Sequence, residues 1–142
     1  YGIFQRAIQS HLQQEVILNQ WEITYVNAFK RGDSWNSLDE WSRLLPGLFG
    51  KLFPSSDMGL ELEHRGAEWS YALPNKSGRL HISAKLGKIG DDDEEYLLLQ
   101  STVRGPVNEA VDDPIRQGLN LGHDVALQSF QMITGRVFTQ NS

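Results

Sequence analysis

The sequence predicts an α+β domain: an antiparallel sheet of four to five strands with helices on one face, in the order α-β-α-β-β-β-β-α. Two observations carry this. Apolar and polar residues alternate between Gly59 and Arg104, the period of half-buried strands, and stripes of helical spacing lie at both ends of the chain. A sheet with helices on one face is the economical way to bury all of these surfaces together.

The first element reads as a helix. Phe4, Ile8, Leu12 and Val16 recur every fourth residue, Ile3 and Ala7 widen the stripe, and glutamines fill the other side. Trp21, Ile23 and Tyr25 then alternate with Glu22 and Thr24, which predicts a strand over 20–29 that joins the main sheet. Ser37-Leu38-Asp39-Glu40 has the form of a capping box, so a short helix should follow and end near Leu45, before Pro46.

From Gly59 the period is two. Leu60 and Leu62 alternate with glutamates to give one strand, and Trp69, Tyr71 and Leu73 give the next, with the aromatic rings toward the core. Pro74-Asn75-Lys76-Ser77-Gly78 is turn chemistry. Leu80, Ile82, Ala84 and Leu86 form a third strand, and Tyr96 to Arg104 the last. On this reading Glu61, Glu63 and Arg65 lie beside Arg79, His81, Ser83 and Lys85 on a charge-compensated solvent face. Leu97, Leu98 and Leu99 place apolar side chains on both faces of the last strand, so a second helix or a further part of the protein should cover the far face. Asp113-Pro114 opens the final helix, Ile115, Leu119, Ala126, Phe130 and Ile133 form its stripe, and Gly135 closes it. Gly118 and Gly122 mark a close backbone approach within it, to the sheet or, in a dimer, to a crossing helix.

The 142 residues make one domain, 1–142. The chain begins at Tyr1, which suggests a fragment of a larger protein. Thirteen Lys and Arg stand against eighteen Asp and Glu, and residues 91–95 hold five of the negatives, so the remainder is neutral. No basic field offers itself to nucleic acid, and no apolar run has the length of a membrane span. With no cysteine, neither a disulfide nor a thiolate metal site can form, which fits a cytoplasmic location.

His11, His64, His81 and His123 sit in different segments without metal-ligand spacing, so no metal site and no cofactor are expected. The chain has no nucleophile-elbow, phosphate-loop or thiol signature, and enzymatic activity has no positive support. His123 lies on or beside the buried stripe of the last helix, where a hydrogen bond to the sheet or a place in a cleft would occupy it.

Two stretches resemble a known family. Trp21-Glu22-Ile23-Thr24-Tyr25-Val26-Asn27 followed by Gly32, Trp35 and Leu38 is similar to a "YvN…G…W" element. Leu119-Asn120-Leu121-Gly122-His123-Asp124-Val125 with Phe130, Ile133 and Thr134 is similar to a closing "aH…F..iT" helix. Both belong to a sporadically distributed family of uncharacterised bacterial proteins. The resemblance implies an additional N-terminal, β-containing half, so that this chain would be the C-terminal part of a larger protein, and makes Tyr25, Asn27, Trp35, His123 and Phe130 motif positions. It carries no activity. Glycine at 118 and 122 departs from the family pattern.

Two functions are therefore expected. The first is a non-catalytic interaction or regulatory accessory domain acting through a protein partner or self-association, with a homodimer among the forms. The alternative is a small-ligand binding domain whose pocket lies between the sheet and the C-terminal helix, lined by Tyr25, Asn27, Trp35 and His123.

Overall fold

Alternating apolar residues draw five segments into one antiparallel sheet. A computed structural model describes residues 8–17, 19–50, 58–91 and 93–135. The strands are β1 (Ile8–Ile17), β2 (Gln20–Lys30), β3 (Gly66–Ala72), β4 (Arg79–Gly87) and β5 (Tyr96–Pro106). A 3-10 turn over Leu38–Glu40 runs into the short helix α1 (Trp41–Leu44), and α2 (Pro114–Ile133) closes the described chain. The spatial order is β1-β2-β5-β4-β3, so β2 and β5, distant in sequence, are adjacent at the centre.

The α+β class, the antiparallel sheet and the helices on one face are as the sequence predicts. The first helix is not. Residues 8–17 form β1, antiparallel to β2 from Ile8↔Phe29 to Ile17↔Gln20. A spacing of four is nearly one helical turn, but it is also twice the strand period, so the same positions share a face in either conformation. Asn19 adopts φ 67° in the two-residue connection, the left-handed geometry of a tight hairpin. The part of the expected helix before Ile8 lies outside the described residues.

The strand expected at Gly59 is also absent: residues 60–65 pair with no strand, and Leu60 is exposed. Arg65 accounts for the path. Its guanidinium donates to the Leu38 carbonyl at 3.0 Å, the Ser42 hydroxyl at 2.8 Å and the Gly50 carbonyl at 3.2 Å, and stacks 4.3 Å from the Phe49 ring centre. These bonds tie the segment to α1, away from β4. Glu61 and Glu63 therefore do not face Arg79 and His81; β3 supplies Glu68 and Ser70 instead, and Ser70 bonds His81 Nδ1 at 2.8 Å.

The covered face holds Trp21, Ile23 and Phe29 of β2, Leu97, Leu99 and Val103 of β5, and Leu80, Ile82 and Ala84 of β4, all buried. The capping box forms: Glu40 Oε1 accepts the Asn36 and Ser37 amides at 2.8 and 2.9 Å. Those two bonds, with Arg43 at 2.6 Å, hold the Glu40 carboxyl below its usual pKa. Trp35, Trp41, Phe49 and Trp69 form a chain of ring contacts 5.4–5.9 Å apart that fixes α1 to the same face. Tyr71 lies on the covered face as expected, opposite Leu80, but on the edge strand β3 it stays 51% exposed.

Helix α2 crosses β2 and β5 on this face, and Trp21 explains its glycines. A Cβ at Gly118 would fall 2.3 Å from the indole, and one at Gly122 2.7 Å from it. A third glycine, Gly105, would meet the same ring at 2.6 Å. The indole N–H donates to the Pro106 carbonyl at 3.1 Å. The close approach is therefore to the sheet.

The opposite face carries no helix among the described residues. It is largely polar, with Arg104 paired to Glu22 at 2.9 Å and Thr24 bonded to Thr102 at 3.1 Å. Leu98, the outward member of the leucine triplet, is half-buried above Gly87, where a Cβ would come within 2.5 Å of it. Ala28, Tyr96 and Thr102, which share this face with Leu98, are buried as well.

Candidate functional site

Strand alternation brings Tyr25 and Asn27 to the α2 side of β2, and the register sets Tyr25 opposite Ser101 of β5. Helical spacing brings His123, Ala126, Leu127 and Phe130 over them, one turn after another. These seven residues line a cavity of about 210 Å³ between sheet and helix. Small side chains leave the space open. On the inner face of β5 the run Leu97, Leu99, Val103 is interrupted by Ser101, and Ala126 is the buried helix residue that lines the same gap.

The Tyr25 hydroxyl and His123 Nδ1 are hydrogen-bonded, with ring centres 5.9 Å apart and planes tilted by 47°. Burial raises the Tyr25 pKa above its ordinary value, so the phenol keeps its proton at neutral pH and can donate to the imidazole. The walls are mainly aliphatic and aromatic, and the polar groups are few: phenol, imidazole, the Asn27 amide and the Ser101 hydroxyl. No carboxylate lines the cavity among the described residues. An apolar lining with a few polar groups is the composition that small-molecule sites in general share.

Three of the four residues expected to form a ligand site, Tyr25, Asn27 and His123, meet here. Trp35 lies elsewhere. It is 1% exposed, donates its indole N–H to the Phe29 carbonyl at 2.8 Å and packs edge-on against Trp41. Its place is in the core beneath α1. Ser101, Ala126, Leu127 and Phe130 complete the lining. Ser101 carried a legible signal, since a hydroxyl at an inward position of an otherwise aliphatic strand leaves volume unfilled. Leu127 carried none, because it stands off the buried stripe of α2 and is 47% exposed at the rim.

Among the described residues, no three metal-capable side chains converge, and no helix is long and apolar enough to cross a membrane. Searches against protein-family models, curated proteins and solved structures return no match for this chain.

Proposed function

We propose that this protein is a small-ligand binding domain whose site is the cavity between α2 and the β2–β5 centre of the sheet. The carrying observation is that cavity, mainly apolar in lining and bearing the Tyr25–His123 pair. An enclosed apolar cavity of about 150 Å³ accommodates benzene, so a cleft of about 210 Å³ with an exposed rim has room for one aromatic ring with a short substituent. The ligand would carry one hydroxyl or comparable polar group to bond the phenol–imidazole pair, with its ring against Phe130 and Leu127.

Thermal unfolding with p-cresol and toluene tests this. Ligand at a hundred times its Kd stabilises by about 2.7 kcal/mol, so both compounds should raise Tm in a saturable way, p-cresol at lower concentration. In Tyr25→Phe that preference should shrink while toluene still binds. No saturable rise with either compound, or the same preference in the variant, contradicts the proposal.

Action through a protein partner is the second reading. It is favoured by large apolar side chains exposed on α2: Ile115 at 43%, Leu121 at 37%, Leu127 at 47% and Met132 at 74%. By helical spacing Leu121 and Met132 share one flank while Leu127 lies on another. They do not make one continuous patch, which places this reading behind the cavity.

A further inference from the structure

A second depression, of about 460 Å³, lies at the end of the sheet where the β3–β4 turn meets the end of β5. Lys76, Arg79 and Arg104 all line it, with Gln20 and backbone at Gly78 and Gly105, and no carboxylate is part of the lining among the described residues. This convergence is unexpected in a chain of net charge −5.

The fold imposes it. Arg79 of β4 stands directly opposite Arg104 of β5 in the register, a like-charge cross-strand pair that costs stability. The turn adds a third cation. Gly78 has φ 153°, and a Cβ there would lie 2.2 Å from the Arg104 carbonyl oxygen, so the turn presses against β5 and carries Lys76 with it. Compensation is incomplete: Glu22 engages Arg104 at 2.9 Å, while Arg79 and Lys76 have no ion pair among the described residues. Three cations and one carboxylate leave two positive charges at one concave spot. Guanidinium groups there offer planar, paired donors suited to an oxyanion.

We propose that this depression binds the phosphate group of a small molecule, with Arg79 and Lys76 as the principal contacts and Arg104 shared with Glu22. Three cations in a small hollow match one dianion; they do not form the extended track a nucleic-acid backbone needs. The site shares no residue with the α2 cavity and does not depend on it.

Amide NMR titration with inorganic phosphate, at ionic strength held constant with sodium chloride, tests the proposal, with acetate as a parallel arm. Phosphate should give saturable shifts at Gly78, Arg79, Arg104 and Gly105, and acetate weaker ones. Arg79→Ala and Lys76→Ala should each weaken binding about tenfold, the order expected for loss of one charge-assisted contact. Both side chains are exposed, and removing either strands no partner, so the fold should persist and the unshifted amides report it. Shifts that never saturate, that chloride alone reproduces, or that survive in both variants overturn the site. Acetate binding as tightly as phosphate overturns the phosphate assignment.

Discussion

Trp21 sets the distance between helix and sheet. Its indole lies between Gly105 of the sheet and Gly118 and Gly122 of the helix, at separations that leave no room for a methyl group. In an open helix, replacing glycine by alanine stabilises by about 1 kcal/mol. At Gly118 the sign should reverse. The added Cβ would meet a fully buried ring that also donates to Pro106, so strain of about 1–3 kcal/mol is expected for Gly118→Ala. Urea denaturation should show a lower midpoint than the parent; a higher midpoint would mean the indole is free to move. Arg65 is another single residue with wide consequences, because its one guanidinium satisfies acceptors in three places and redirects the chain between Gly59 and β3.

At the scale of elements, β1 depends on its turn. Asn19 at φ 67° occupies a region that asparagine and glycine enter easily and β-branched residues do not. Asn19→Val should therefore cost about 1–2 kcal/mol and loosen the β1–β2 pairing, whereas Asn19→Gly should stay within about 0.5 kcal/mol of the parent. Hydrogen exchange at the β1 amides reads this; equal protection in both variants would show that the turn does not hold the strand. The same hairpin marks the limit of sequence reading. The final helix was legible because twenty residues with a proline start, a periodic stripe and a glycine stop leave little alternative. β2, β4 and β5 were legible from alternation. Residues 8–16 were not, since spacing by four satisfies both periods and only the asparagine at 19 hinted at a turn. Leu60 and Leu62 alternate like a strand, yet the bonds that decide their path belong to Arg65, whose partners lie 15 to 27 residues away in sequence.

For the whole molecule, the arrangement is one sheet with helices on one face and a largely polar far face. Helix α2 spans the central strand β5 and its neighbour β2, and the cavity lies where small residues in both layers coincide. Tyr25, Asn27 and His123 could be nominated from the sequence because each falls on an inward or near-inward position of its own element. Trp35 has the same aromatic character but belongs to the packing beneath α1, a distinction only tertiary contacts supply. Ser101 and Ala126 matter for what they lack in size; Ser101 shows it as a hydroxyl at an inward strand position, whereas Ala126 reads as an ordinary member of the helical stripe. The function proposed for this protein rests on that gap taking up a ligand. The most direct test is a p-cresol titration followed by amide NMR. Saturable shifts centred on Tyr25, Asn27, Ser101, His123 and Ala126, leaving Gly78 and Arg79 unmoved, are the predicted result; no saturable shift at those five residues, or shifts spread over the whole surface, would contradict it.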